Sequence, residues 1–328
     1  MVFLLLAGCG KEPLHQQQAF IFGTQVSISI YGTDAAQARA AGTALLQEFD
    51  RLHRVFHAWQ PSPVTDLNAA FARGERRQVT PELAAAIRVA TRYATASDHL
   101  FNPAIGGLIA LWGFHSDEFK PVLPAPSQIA ALLRANPRMS DITLDAAGWA
   151  TSQNRAVQLD FGGYAKGLAL DRAVQILRAR GIQNALVNIG GNLIALGRHG
   201  ARPWHVGVQH PRRPGALLEL DLHDGEAIGT SGDYQRFFEL EGRRYCHIID
   251  PRSGYPALRA QALTVLAPAG VDAGLRSDIA SKPGFILGAA GWEAQLKRLG
   301  IEAAMLVDES GKIALTKTLA QRAHLVRE

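Results

Sequence analysis

The stretch RAVQLDFGGYAKGLALDRAVQILRARGIQNALVNIGG, residues 155–191, constrains the fold of this chain most strongly. Its pattern predicts a strand, a glycine turn, a helix that ends at Gly181, and a second strand from Ala185 to Ile189. Strands and helices therefore interleave closely within one segment.

The remaining sequence also mixes the two kinds of element. Val26, Ile28 and Ile30 alternate with polar residues, which is typical of a half-buried strand, and Thr80 followed by Pro81 is typical of a helix start. The order is not a regular strand–helix–strand succession. We therefore predict an α+β fold with two sheet-containing halves, since 328 residues that are 47% hydrophobic can bury a sizeable core.

The glycine pair Gly162 and Gly163 directly precedes the predicted helix. Backbone N–H groups and the helix dipole favour an anion at such a place, and Lys166 adds a positive charge. The spacing fits neither a dinucleotide-binding fingerprint nor a P-loop, and a lone glycine pair is more often a tight packing turn. Two further glycine loops, at 188–191 and 229–234, favour a polar ligand between the loops.

The segment CHIIDPRSGYP, residues 246–256, places His247 beside a rigid turn. Asp-Pro followed by Ser-Gly favours a turn, because proline fixes φ and glycine accepts positive φ. Neighbouring residues of a strand point to opposite faces, so Cys246 and His247 cannot form a catalytic pair there. We expect Cys246 to be a buried apolar residue.

Asp278 and Lys282 are four residues apart, which would place them on one face of a helix. Pro283 argues against helical geometry at Lys282, because the residue before a proline is pushed out of the α region. A surface ion pair is the simpler interpretation of the two charges.

The N-terminus, MVFLLLAGCGK, has an apolar run that ends in small residues before Cys9. This pattern is typical of the lipobox of bacterial lipoproteins, in which the cysteine is acylated. We expect residues 1–18 to be a lipoprotein signal remnant with a polar tether, and residues 19–328 to be the folded domain. Lipidated Cys9 would hold the chain on the periplasmic side of a bacterial membrane; an incidental apolar N-terminus is the alternative.

The net charge of +5 raises the question of a nucleic-acid partner. The arginines are scattered, however, and the densest groups are only neighbouring pairs such as Arg76 and Arg77. No arginine-rich helix or zinc-finger motif accompanies them. We interpret the charge as a solvated basic surface and expect no nucleic-acid binding.

Several segments together resemble the ApbE family of FAD:protein FMN transferases, in the family's order: GTQVSISIYG, LWGF, LDFGGYAKGLALD, VNIGGNLIALG and GTSGDYQRFFELEGRRYCHIIDPRSGYP. The resemblance covers roughly residues 19–320, and the last segment is the most specific. It implies two subdomains with FAD in the cleft between them. It also implies transfer of FMN from FAD to a threonine or serine hydroxyl of an acceptor flavoprotein, with release of AMP.

The resemblance further implies roles for individual residues. His247 matches the base, or the group that orients the acceptor hydroxyl, and an ordinary imidazole pKa of about 6.5 suits this role. Asn102 stands where an aspartate is usual. The matched FAD positions are Phe22, Trp59, Leu100, Phe101, Asn102, Asp160, Lys166 and Ile249.

The family's Mg²⁺ site is altered in this sequence. The resemblance implies Gly163, through its carbonyl, and Asp278 as ligands, with Ser281 just before the usual threonine ligand. Lys282 stands at the threonine position, and an ammonium cannot coordinate Mg²⁺.

Several consequences of this substitution stay open. Lys282 replaces part of the metal's charge, or it turns to solvent and leaves Mg²⁺ on Asp278, Gly163 and phosphate oxygens. Otherwise the chain holds FAD without transferring FMN. An FAD pyrophosphatase, with water in place of the acceptor hydroxyl, is a further alternative.

Overall fold

The computed structural model describes residues 13–116, 118 and 121–326, so Cys9 lies outside the described residues. Within these ranges the helices are α1 (Ala35–Val55), α2 (Pro63–Arg73), α3 (Pro81–Ala96), α4 (Gly106–Leu111), α5 (Pro126–Ala135), α6 (Ala165–Ala179), α7 (Ala273–Leu287), α8 (Trp292–Arg298) and α9 (Lys317–Ala320). The strands described in the same ranges are β1 (Leu14–Ile21), β2 (Thr24–Tyr31), β3 (Arg77–Gln78), β4 (Ile142–Leu144), β5 (Trp149–Ser152), β6 (Ala185–Ile189), β7 (Asn192–Leu196), β8 (Trp204–Gln209), β9 (Ala216–Leu222), β10 (Ala227–Gly232), β11 (Phe237–Leu240), β12 (Arg243–Cys246), β13 (Ala260–Ala267), β14 (Ala303–Asp308), β15 (Ile313–Leu315) and β16 (Ala323–Leu325). None of these helices has both the length and the apolar character needed to cross a membrane.

The largest sheet in the described part of the chain has eight strands, in the order β1-β2-β6-β7-β10-β13-β14-β15. Every neighbouring pair in it is antiparallel. Two three-stranded sheets, β16-β9-β8 and β3-β5-β4, and the hairpin β11–β12 lie outside it. The α+β class predicted from the sequence is therefore confirmed.

Two predicted elements differ from the structure. Residues 14–18, expected in the tether, belong to β1, whose register pairs Leu14 with Tyr31 and Ile21 with Thr24. The strand expected before the glycine turn is an extended segment instead. It is held by the Gly106 N–H, which donates to the Gln158 carbonyl at 2.8 Å, and by one isolated bridge to Ile105.

Helices α6 and α7 are in close contact, and this contact places the residues of the site. A Cβ added at Gly167 would lie 2.7 Å from the Gly274 carbonyl oxygen, so only glycine permits this approach. The buried carboxylate of Asp171 accepts the N–H groups of Gly274 and Leu275 at 2.7 and 2.9 Å, which caps the start of α7. Helix α7 runs unbroken through Pro283.

The turn after His247 is fixed from both sides. The Gly254 N–H donates to the Asp250 carbonyl at 2.8 Å, and Gly254 has φ +73°, as a glycine permits. The indole N–H of Trp112, from the LWGF segment, donates to the Gly254 carbonyl at 2.7 Å. Two motifs that are far apart in sequence therefore form one rigid unit beside His247.

Candidate functional site

A cavity of about 800 Å³ lies at the end of the main sheet, within the range of roughly 300–1,000 Å³ that small-molecule sites occupy. The three glycine loops predicted from the sequence, before α6, after β6 and at the end of β10, all contribute to its wall. The predicted site residues that line it are Phe22, Trp59, Leu100, Phe101, Asn102, Asp160, Gly163, Lys166, His247, Ile249, Asp278 and Lys282.

One end of the cavity is cationic. Lys166 stands in the first turn of α6, where the helix dipole is also positive, and Lys282 and Arg236 line the same cavity. Asp160 accepts the N–H of Gly162 at 2.7 Å, and burial raises the pKa of this carboxyl. The arrangement favours an anionic group beside the glycine turn.

Asp278 and Lys282 form a buried ion pair on one face of α7. The Lys282 Nζ donates to Asp278 Oδ1 and to the Asp278 backbone carbonyl, each at 2.6 Å. Burial acts against the charge on Asp278, but Lys282 and Lys166 outweigh it and hold the pKa of this carboxyl below its usual value. The ion pair is therefore not at the surface, and Lys282 is not turned to solvent.

Mg²⁺ does not fit the described residues at this place. It needs several oxygen ligands in near-octahedral geometry, yet the ammonium of Lys282, which cannot be a ligand, lies 2.6 Å from Oδ1 of Asp278, where it would repel a second cation. In the described part of the chain, no group of three or more His, Cys, Asp or Glu side chains could hold a metal ion.

Ser281 does not lie where the resemblance implies. Its side chain is fully buried and is not part of the cavity wall. Its hydroxyl donates to the Asp278 carbonyl at 2.9 Å and lies 2.7 Å from the hydroxyl of Ser231. Ser281 therefore joins α7 to β10 inside the protein.

His247 is half-buried and holds its proton in a defined position. Its Nδ1 lies 3.2 Å from the backbone carbonyl of Arg236, which can only accept, so Nδ1 carries the hydrogen. In the neutral ring, Nε2 then has a lone pair and can accept a proton. The backbone N–H of His247 donates to the same carbonyl at 3.0 Å, which fixes the residue further.

The surroundings keep this imidazole neutral. Burial, with the positive charges of Arg236, Lys166 and Lys282, lowers the pKa of His247 to about 3. The expectation of an ordinary, near-neutral imidazole pKa for His247 is therefore wrong. An anionic ligand beside these cations would offset their effect and raise the pKa again.

Aromatic and imidazole rings form another part of the cavity wall. The ring centroid of Phe22 is 5.5 Å from that of His53, which is followed by His57 at 4.9 Å and then by Trp59 at 5.0 Å. The guanidinium of Arg236 lies 5.5 Å from the Trp59 ring centroid. Phe22 has φ +58° in a hairpin turn where glycine or asparagine is usual, so an aromatic side chain is held there at a conformational cost.

Three residues of the cavity wall, His53, His57 and Arg236, were not predicted from the sequence. His53 lies in the last turn of α1, but His57 lies beyond the end of this helix at Val55, so helical spacing does not bring the two rings together. Arg236 carries no sequence signal either, because its place follows from the hydrogen bonds of its guanidinium to the carbonyls of Phe114 and Ser116, at 3.0 and 3.2 Å.

The loop before α4 contributes an apolar wall and a polar anchor. Leu100 and Phe101 are buried against the core and also line the cavity. The Asn102 amide donates to the Pro137 carbonyl at 2.9 Å, and its oxygen accepts the Ala104 N–H at 3.1 Å. Asn102 therefore shapes the loop through both ends of its amide group.

A cationic end, an aromatic wall and a neutral imidazole in one cavity together suit a small ligand that has both a phosphate-like and a planar aromatic part. The sequence pattern of the ApbE family matches residues 22–305, and the chain belongs to this family.

Individual relatives agree with this membership. The FAD:protein FMN transferase of Rhodobacter capsulatus is 38% identical to this chain, over 98% of this chain and 62% of that protein, so the chain spans less than two thirds of that relative. The ApbE protein of Thermotoga maritima is similar in structure, with a TM-score of 0.86 and 30% identity over 96% of this chain and 100% of that one. The apo form of the flavinyl transferase ApbE of Pseudomonas stutzeri is also similar in structure, with a TM-score of 0.81 and 27% identity over 95% of this chain and 98% of that one.

Proposed function

We propose that this chain is an FAD:protein FMN transferase, which moves FMN from FAD to a threonine or serine hydroxyl of an acceptor flavoprotein. The family and the names of its relatives support the proposal. The observation that carries it is the neutral His247, whose Nδ1–H is held by the Arg236 carbonyl in a cavity with a cationic end.

The proposed step is a phosphoryl-type transfer. The acceptor oxygen bonds to the phosphorus on the riboflavin side of the FAD diphosphate, and the bond from that phosphorus to the bridging oxygen breaks. AMP leaves with the bridging oxygen, while Nε2 of His247 accepts the hydroxyl proton and later releases it to AMP or solvent. Lys166 and Lys282 offset the negative charge of the diphosphate. No part of this step uses Mg²⁺.

The chain's own residues would divide the ligand between the two walls. The phosphates would lie at the glycine turn with Lys166, and the flavin ring would contact the side of the cavity formed by Phe22 and Trp59. Leu100, Phe101 and Ile249 would exclude water between them.

The experiment is incubation of the protein with FAD and a purified acceptor domain that carries the family's target threonine. We expect the acceptor to gain one FMN by mass spectrometry, with AMP released in equal amount. A matched acceptor with alanine at the target position is the control and should gain nothing. AMP release that is the same without any acceptor would instead indicate a pyrophosphatase.

A protein that binds FAD without transferring FMN is a second candidate. The observation that favours it is the misfit between Mg²⁺ and the Asp278–Lys282 pair, because the resemblance implies a metal at this place. Saturable FAD binding without any mass gain of the acceptor, with and without Mg²⁺, would favour this candidate over the transferase.

We infer from the sequence around Cys9 that the chain is lipid-anchored on the periplasmic side of a bacterial membrane. The acceptor would then be a protein exposed on the same side. Expression of the full chain in a bacterium should place the wild type in the membrane fraction and Cys9→Ala in the soluble fraction. Equal distribution of the two proteins would contradict the lipid anchor.

A further inference from the structure

We propose that the Lys282 ammonium is a built-in cation for the FAD diphosphate and takes the place of Mg²⁺ in this chain. The inference rests on the proposed function, because FAD is taken as the ligand. It predicts that FAD binds and reacts without any divalent metal.

The position of Lys282 supports this inference. Its ammonium lies at hydrogen-bonding distance from two oxygens of Asp278, the residue that the resemblance implies as metal ligand. Only 17% of the Lys282 side chain is exposed, and both residues line the cavity. A positive charge therefore already stands beside the carboxylate where a metal ion would bind.

The residues packed around Lys282 leave its side chain little freedom to move. A Cβ added at Gly163 would lie 2.7 Å from Cε of Lys282, so the lysine stem packs directly on the glycine turn. The second oxygen of Asp278 accepts the N–H of Gly167. Metal binding at Oδ1 of Asp278 would therefore require the Lys282 ammonium to leave this packed position.

The charge balance points to an anionic ligand. The cavity wall carries three cationic side chains, of Lys166, Arg236 and Lys282, and two carboxylates, of Asp160 and Asp278. Lys282 pairs with Asp278, and Lys166 makes a long contact, 3.4 Å, with the Gly162 carbonyl. An ammonium has three donors, and two of them are assigned to Asp278 oxygens. The third can donate to a phosphate oxygen in the cavity.

The test compares FAD affinity in excess EDTA and across a Mg²⁺ titration, by isothermal titration calorimetry. For the wild type we expect the two dissociation constants to agree within about twofold. For Lys282→Thr we expect a loss of about tenfold or more in EDTA, equivalent to one lost charge-assisted contact, and recovery as Mg²⁺ is added. A wild type that binds FAD only with Mg²⁺ would overturn the inference.

Two further variants keep the test decisive. Lys282→Arg retains the positive charge and should still bind FAD in EDTA. This variant remains informative if Lys282→Thr fails to fold because Asp278 is left unpaired. Loss of FAD binding by a folded Lys282→Arg would count against the inference. Lys297→Thr, an exposed lysine on α8, is the matched control and should behave as the wild type.

The transfer assay separates this inference from the proposed function. Acceptor mass gain that requires Mg²⁺ would overturn the inference and leave the transferase intact. Metal-independent FAD binding without any mass gain of the acceptor would support the inference and contradict the proposed transferase. Equal mass gain in EDTA and in Mg²⁺ is the result expected if both are correct.

Discussion

A single backbone carbonyl determines where the proton of His247 lies. The carbonyl of Arg236 accepts from Nδ1, so the ring can take a proton only at Nε2. The sequence places this histidine at a rigid turn, but it does not show that Lys166, Arg236 and Lys282 converge on it from three separate segments. Burial and these three positive charges together lower the pKa of His247 well below the ordinary imidazole value.

Replacing His247 tests its role as base. His247→Gln can still donate from its amide to the Arg236 carbonyl, but it has no basic nitrogen. We expect the rate of FMN transfer to fall by about 10²–10⁴-fold while FAD affinity changes by less than about threefold. The exposed histidine variant His324→Gln is the control, and a near-normal rate for His247→Gln would contradict the role.

The aromatic wall can be tested at Trp59. We expect Trp59→Ala to weaken FAD binding by about tenfold, because ring contacts contribute about 0.5–1.5 kcal/mol beyond the area they bury. Trp59→Phe keeps a ring and should lose less. Flavin fluorescence titration measures both, and equal affinity of Trp59→Ala and the wild type would place the flavin elsewhere.

The sequence indicated which residues line the cavity better than it indicated the surroundings and orientation of each side chain. Motif matching brought Phe22, Asp160 and Ile249 to the cavity although they are far apart in the chain. It misplaced Ser281, because one step along a helix turns a side chain by about 100° and points it away from the cavity.

Among the secondary structure elements, the α6–α7 contact determines the geometry of the ion pair. The Gly167 N–H holds Asp278 from α6, while Lys282 holds it from within α7. A change in the distance between the two helices would therefore disturb the site and the stability of the fold together.

Gly167→Ala tests the contact between α6 and α7. Its Cβ would lie within 2.7 Å of backbone atoms of α7, so we expect a loss of about 1–3 kcal/mol in the free energy of unfolding. Gly107→Ala, in α4, would make only ordinary contacts and should lose almost nothing. Urea denaturation compares them; equal stability of the two variants would mean that α6 and α7 can move apart freely.

Local sequence patterns predicted the elements well where burial and propensity agree, as in β6 and α6. The predictions from local patterns were wrong where contacts between distant segments determine the secondary structure. The polar residues 14–18 pair with β2 although their composition is typical of a tether. Helix α7 continues through Pro283 because Ile279 and Phe285 on either side are fully buried.

For the whole molecule, the half-buried imidazole of His247 links stability to pH. The unfolded chain takes up a proton on His247 near pH 6.5, whereas the folded protein does so only at about pH 3. Between these values the unfolded state binds more protons, so this group's contribution to stability is present above pH 6.5 and falls as the pH is lowered.

We expect the wild type to lose up to about 2 kcal/mol of stability relative to His247→Gln between pH 7 and pH 5. The comparison of the two proteins removes the titration of other groups, such as buried Asp171, whose pKa burial raises to about 7. Thermal or urea unfolding across this pH range gives the difference. Parallel stability curves for the two proteins would show that His247 is not kept neutral by the fold.

The most direct test of the account is a crystal structure of this protein with FAD, grown in the presence of EDTA. We expect one FAD in the cavity, with its diphosphate within hydrogen-bonding distance of Lys282 Nζ and its flavin ring beside Trp59. A diphosphate bound away from Lys282, or FAD that enters the cavity only when Mg²⁺ is added, would contradict it.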